Sequence, residues 1–98
     1  MARISLRWFL RSRRLTTLGL TTGQALVLIV LVDHADAAGL TFPGQQTIAE
    51  ESGMQRSGVR KALTALVDRG VIEVVDPGGP KKSARYRISS AVGLWATG

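Results

Sequence analysis

The sequence predicts a domain of the α+β class, mostly α, in which three core helices precede a β-hairpin. Apolar residues recur at helical spacing between residues 55 and 69, which indicates an amphipathic helix. A β-branched run at 71–75 and an alternating segment at 85–88 flank a turn-rich stretch, as in a hairpin. A chain of 98 residues has room for one modest core, so we expect a single domain at 20–89.

The charge distribution favours a polyanionic partner. Thirteen Lys and Arg residues against seven Asp and Glu residues give a formal net charge of +6. The positive charge is gathered towards the two ends of the sequence, because residues 25–52 contain acids but neither Lys nor Arg. Nucleic acid and an acidic membrane surface both fit this pattern. The longest apolar run, at 25–32, is much shorter than the roughly 20 residues of a membrane-spanning helix. We therefore expect a cytoplasmic protein without a membrane span.

The residue types required for most enzyme and metal chemistry are scarce. The sequence contains no cysteine, and His34 is its single histidine. No residue set resembles a nucleophile with its base, so we expect neither an enzyme nor a cofactor. Asp33 and Asp36 are one helical turn apart beside His34, but a helix directs His34 about 100° away from Asp33. No further His or Cys exists to complete a metal site, so no metal is expected.

The two ends of the sequence lie outside the predicted domain. Residues 1–19 form a basic segment whose Arg residues recur at helical spacing, which predicts an extra N-terminal helix. This helix would pack on the domain, contact DNA phosphates, lie on a membrane surface, or form a dimer or partner contact through Trp8 and Phe9. Residues 90–98 form an apolar tail, in which Trp95 would dock on the core or on a partner.

A largely apolar run from Gly23 to Ala38 predicts the first core helix. Thr21 or Thr22 would cap it, because a Thr hydroxyl accepts hydrogen bonds from first-turn amides. The middle of the run is apolar on nearly every side, as in a buried strand. Its length, its Ala-rich end and the following Gly39 favour a helix.

Two further helices, separated by a glycine, follow Pro43. Proline disfavours helical backbone in the residue before it, so the second helix is predicted at 44–52. Gly53 would end this helix in the left-handed conformation that glycine adopts at low cost. The third helix, at 55–69, carries one buried stripe that consists of Val59, Ala62, Leu63 and Leu66.

The order of these elements resembles the winged helix-turn-helix domains of phage and plasmid replication proteins and of small bacterial transcriptional regulators. The resemblance covers about residues 20–89. Four sequences carry it: the DHAD helix end, TFPGQQTIAEESG, the RKAL helix that ends in DRG, and the VIEVV strand. It implies three core helices with a β-hairpin wing, and binding to double-stranded DNA.

The resemblance also implies which residues contact DNA. In such domains the third helix enters the major groove, where Arg can bond to guanine and Gln to adenine. Amides at the start of the second helix would bind a phosphate, and wing cations would lie along the backbone or in an adjacent minor groove. These residues are Gln55, Arg56, Ser57, Arg60 and Lys61 on the third helix, Gln45, Gln46 and Thr47 on the second, and Lys81, Lys82 and Arg85 on the wing.

Gly58 departs from the family pattern, which often has Thr or a charged residue in this first turn. The glycine either permits a close approach to DNA or marks a helix that reads DNA weakly. The predicted function is transcription control of a phage or plasmid type. The alternatives are a replication-initiation or recombination accessory factor, and a winged-helix module that binds a protein instead of DNA.

Overall fold

The computed structural model describes residues 18–89, and three helices and three strands lie entirely within this range. The predicted N-terminal helix with Trp8 and Phe9, and the tail with Trp95, fall outside the described residues. In chain order the elements are α1 (Thr22–His34), β1 (Leu40–Thr41), α2 (Gln45–Ser52), α3 (Arg56–Asp68), β2 (Ile72–Asp76) and β3 (Arg85–Ile88).

The start of α1 is fixed by the cap that the sequence predicts. The Thr21 hydroxyl accepts a hydrogen bond from the Gln24 amide at 3.2 Å, and the Gln24 side chain accepts one from the Thr21 amide at 3.2 Å. This reciprocal capping box satisfies two amides that have no partner within the helix. Thr21 is therefore the cap residue, and Thr22 is the first residue of the helix.

The end of α1 differs from the prediction, because the helix stops at His34 and not at Ala38. The Asp36 carboxylate accepts hydrogen bonds from the backbone amides of Ala38 and Leu40, at 2.8 and 3.0 Å. A short acidic side chain that binds nearby amides offers the backbone an alternative to the helix. The chain therefore turns after His34 and enters β1.

The core lies where α1 packs against α2 and α3. Helix α1 is buried along its middle, as expected for a helix that is apolar on most sides. Helix α2 adds Ile48 and Ala49, and the predicted stripe of α3 is buried. Among residues 18–89, no helix is long and apolar enough to cross a membrane. The fully buried side chains of α1 are Val27, Leu28, Leu31 and Val32.

The turn between α2 and α3 follows the prediction. Gly53 ends α2 in the left-handed conformation, with φ of 75°. The next residue, Met54, then packs against two glycines of other segments. A Cβ on Gly23 would lie 3.2 Å from the Met54 Cε, and a Cβ on Gly58 would lie 3.4 Å from it. Met54 therefore fills the space between the start of α1 and the start of α3.

The three strands form one antiparallel sheet in the order β1-β3-β2. Thr41 and Val74 pair with Tyr86 from opposite sides, and the register between β2 and β3 shifts at a bulge between Val74 and Asp76. The buried Thr41 hydroxyl donates a hydrogen bond to the Leu31 carbonyl at 2.8 Å, which ties the sheet to α1. The hairpin of β2 and β3 is the predicted wing.

Candidate nucleic-acid interface

Helix α3 presents its polar face to solvent. The face opposite the buried stripe carries the predicted contact residues, and their side chains are exposed. These residues are Gln55, Arg56, Ser57, Arg60 and Lys61. The sequence therefore predicts this face of α3 correctly, while their contact with DNA stays a prediction.

A cleft of about 640 Å³ separates the wing from the beginnings of α2 and α3. Arg56, Lys81 and Lys82 line it, and its described lining contains no carboxylate side chain. Helix α2 begins in the cleft at Gln45; its N-cap residue, Gly44, provides no side-chain cap, and its first turn contains no acid. The first-turn amides and the positive end of a helix dipole favour an anion at such a place. The cleft is thus electrostatically suited to a phosphate.

A second hollow, of about 350 Å³, continues this cleft along α3. Arg60 and Thr64 line it, and it shares Gln45, Leu63 and Tyr86 with the cleft. The two hollows form one concave surface, which runs from the wing past the polar face of α3. At the far end its lining includes an acid, Asp68.

Asp76 organises the turn of the wing. Its Oδ1 accepts a hydrogen bond from the Gly78 amide at 2.9 Å, and its Oδ2 lies 2.9 Å from the Lys82 Nζ. The hydrogen bonds from Lys82 and then from the Gly78 amide lower the pKa of Asp76 below its usual 3.8. Gly78 has φ of 77°, and a Cβ there would lie 2.7 Å from the Ala84 nitrogen. The sequence predicts this turn, but it does not indicate that Asp76 binds Lys82.

Arg85 lies outside the cleft that holds the other predicted wing cations. Tyr86 and Ile88 are buried, so the alternation of β3 places Arg85 and Arg87 on the outer face of the sheet. The guanidinium of Arg85 is 5.2 Å from the centre of the Phe42 ring. Phe42 is 54% exposed, and sequence reasoning missed it because nothing in TFPG links it to a strand more than 40 residues away.

The predicted contact residues do not all lie at one place. Gln45, Gln46, Arg56, Lys81 and Lys82 meet at the cleft, and Arg60 lies in the adjoining hollow. The side chain of Gln46 also donates to Glu50 at 3.0 Å. Thr47 is half-buried on α2, and neither hollow includes Gln55, Ser57 or Lys61.

Gly58 has a packing role that neither sequence-based interpretation anticipated. It is half-buried, and its nearest neighbour outside its own helix is the end of the Met54 side chain. A small residue at this position lets Met54 lie against the start of α3. The Met54 contact therefore limits the size of a side chain at position 58, although a Cβ there would make only ordinary van der Waals contact.

The acidic end of α1 approaches α2. The His34 Nε2 lies 2.8 Å from the Glu51 Oε1. One possible metal-ligand atom from each of Asp33, His34 and Glu51 lies within 4.8 Å of the other two. Asp36, the acid considered from the sequence, instead binds loop amides. All three clustered side chains are exposed, and the His34–Glu51 pair joins the ends of the two helices.

Comparisons with known proteins agree with this architecture. The profile of a family described as "Helix-turn-helix domain" matches residues 18–72, which include α1, α2 and α3. A solved structure, a transcriptional regulator of the MarR family from Silicibacter pomeroyi, superposes with a TM-score of 0.60 at 20% identity. The match covers 92% of this chain and 56% of that chain, so this chain spans about half the length of that regulator. No curated protein is significantly similar in sequence.

Proposed function

This chain belongs to the helix-turn-helix domain family, and on that premise we propose that it binds double-stranded DNA and regulates transcription. Its fold is a winged helix-turn-helix, with the hairpin of β2 and β3 as the wing. The structural neighbour is a transcriptional regulator, which favours transcription control over a role at a replication origin or in recombination. We also propose that the protein is cytoplasmic and has no catalytic activity.

The concave surface is the observation that carries this proposal. Helix α3 is 13 residues long, or about 20 Å at 1.5 Å per residue, and its polar face is open to solvent. The major groove of DNA is about 12 Å wide and admits such a helix. With α3 in the groove, the cleft between α2 and the wing receives one phosphate backbone.

The charged residues then divide into two roles. Arg56, in the first turn of α3, lines the cleft and is placed between the base edges and the phosphate near α2. Arg60 is one turn further along α3, on the polar face and at the edge of the second hollow. Lys81 and Lys82 are on the wing and would contact phosphates, with Lys81 as the main cation, because Lys82 already pairs with the Asp76 carboxylate at 2.9 Å.

The test is a binding titration of the full chain against a mixed-sequence duplex of about 30 base pairs, repeated at several salt concentrations. Each phosphate contact releases a counterion, so log K falls linearly with log[salt], with a slope of about −0.9 per contact. We expect the double variant Arg56→Ala/Arg60→Ala to lose at least about tenfold in affinity, because it removes two cations from the surface proposed to face the DNA.

The control is Arg87→Ala, which removes one positive charge from the outer face of the sheet. Arg87 lies 3.1 Å from Glu73, so its charge is already compensated, and its loss should change affinity less than about twofold. Full DNA affinity in the double variant would contradict the proposed binding mode, because other residues would then hold the DNA. Salt-independent binding, or no binding, would contradict DNA recognition itself and favour a winged-helix module that binds a protein.

A selection from random duplexes separates base reading from phosphate contact. If Arg56 reads a base, Arg56→Ala should relax the selected sequence at one position. If Arg56 contacts only phosphate, the selected sequence stays the same and the salt slope falls by about 1.

A further inference from the structure

Two arginines on the same face of the sheet have different partners. Arg87 is paired with the carboxylate of Glu73 at 3.1 Å, so its positive charge is compensated. Arg85 instead stacks on the ring of Phe42, with 5.2 Å between the guanidinium carbon and the ring centre. An aromatic ring attracts a cation through its quadrupole and carries no net charge. Phe42 therefore holds Arg85 without neutralising it.

The acid that is paired with Arg85 across the sheet binds other groups. Asp76 pairs with Arg85 in the register of β2 and β3, and its carboxylate feels the Arg85 charge. Both Asp76 oxygens, however, have closer partners, namely the Gly78 amide and the Lys82 ammonium. The guanidinium of Arg85 is thus available to an external anion.

The residues on both sides of Phe42 lie against other parts of the domain. Thr41, immediately before it, is buried and bonded to the Leu31 carbonyl. Gly44, two residues after it, approaches the wing so closely that a Cβ there would lie 3.1 Å from the Ser83 Oγ. A large apolar ring that is 54% exposed on such an anchored segment is a fixed platform for the Arg85 side chain.

We propose that Phe42 is a positioning residue for DNA binding, and that its ring directs the charged guanidinium of Arg85 to a phosphate on the outer side of the wing. The proposal rests on the proposed function. Lys81 and Lys82 line the cleft on the inner side of the hairpin, and Arg85 supplies a cation on the opposite side. Positioning matters because an unrestrained Arg side chain must lose rotamer freedom when it meets a phosphate.

The test compares the salt dependence of DNA binding for Phe42→Leu, Phe42→Tyr, Arg85→Ala and the double variant Phe42→Leu/Arg85→Ala. Arg85→Ala should reduce the magnitude of the salt slope by about 0.9, as expected for one phosphate contact. Phe42→Leu should weaken binding about two- to fivefold with an unchanged slope, because the charge remains and only its restraint is lost. Phe42→Tyr should bind like the wild type, since it keeps the ring.

The double variant decides whether the two residues act together. If Phe42 acts through Arg85, the double variant binds no more weakly than Arg85→Ala alone. Independent, additive losses would overturn the proposal, as would wild-type affinity in Phe42→Leu. If the wild type shows salt-dependent binding and Phe42→Leu binds with the same affinity, this inference is rejected and the proposed function stands. Absence of DNA binding by the wild type rejects the proposed function and this inference with it.

A second readout does not involve DNA. Ring currents of Phe42 should move the NMR signals of the Arg85 side chain upfield in the free protein, and Phe42→Leu should abolish this shift. Arg87 provides the internal reference, because its guanidinium is paired with Glu73. Unshifted Arg85 signals in the wild type would show that the stack does not form, which contradicts the positioning role.

Discussion

Replacing Gly58 with alanine should stabilise the protein, although Gly58 lies at the start of the helix proposed to read DNA. Gly58 is the third residue of α3 and its φ is not positive, so alanine fits its backbone conformation. A Cβ there would lie 3.4 Å from the Met54 Cε, which is an ordinary van der Waals contact. Glycine within a helix costs roughly 0.5–1 kcal/mol relative to alanine. In this first turn we expect a gain at the lower end, about 0.5 kcal/mol.

Gly53→Ala is the matched control, because the same substitution should have the opposite sign. Gly53 has φ of 75°, and no atom lies within 4 Å of a Cβ built on it. The cost is therefore set by the left-handed backbone alone, at about 1–2 kcal/mol for a residue with a Cβ. A difference of about 1.5–2.5 kcal/mol should separate the two alanine variants.

The measurement is urea unfolding followed by circular dichroism, with a thermal melt as a check. In a domain of this size, about 0.5 kcal/mol corresponds to roughly 2–4 °C in Tm. DNA affinity is measured on the same samples and should change less than about twofold for Gly58→Ala, since Gly58 faces Met54. A loss of stability of 1 kcal/mol or more would refute the packing argument. A tenfold loss of affinity in a stable Gly58→Ala variant would place Gly58 at the DNA contact instead.

Three further predictions concern the core and the wing. Leu28→Ala should lower the free energy of unfolding by about 2–5 kcal/mol in chemical denaturation, because Leu28 is fully buried in α1. Thr41→Val should cost about 1 kcal/mol in the same assay, because it removes the hydroxyl that binds the Leu31 carbonyl while keeping the shape; an unchanged midpoint would contradict this. The Asp76 carboxyl signal, followed by NMR, should titrate below 3.8, and Lys82→Met should move its midpoint upwards. Because the folded pKa is lowered, the contribution of Asp76 to the wing is present above pH 3.8 and is lost as pH falls through the folded pKa.

The elements set by local sequence are the ones that the sequence predicts well. The Thr21 cap, the buried stripe of α3 and the left-handed Gly53 each depend on residues within about one turn of each other. The end of α1 was misplaced because Ala37 and Ala38 have high helix propensity. The Asp36 carboxylate overrides that preference by accepting hydrogen bonds from two amides. These bonds form only in the folded loop, so helix propensity alone does not predict them.

The features that the sequence did not predict arise from contacts between distant segments. Gly58 meets Met54 together with Gly23, and no pattern within α3 encodes that neighbour. The alternation in RYRI does place Arg85 opposite Tyr86 across the strand. The packing of α3 on the sheet determines which of those two faces borders the cleft. The sequence does not contain this information, so it grouped Arg85 with Lys81 and Lys82.

The bulge in β2 has a consequence for the colloidal behaviour of the protein. Within the described part of the chain, β2 pairs only with β3, so its other edge has no partner strand among residues 18–89. The VIEVV segment is rich in β-branched residues, and Val74 and Val75 are 46% and 44% exposed. An exposed edge strand with apolar side chains is prone to pair with a strand of another molecule. The register shift between Val74 and Asp76 breaks the regular spacing of amides and carbonyls that such pairing requires. We therefore expect the irregular strand to disfavour edge-to-edge self-association of the wing when the protein is concentrated.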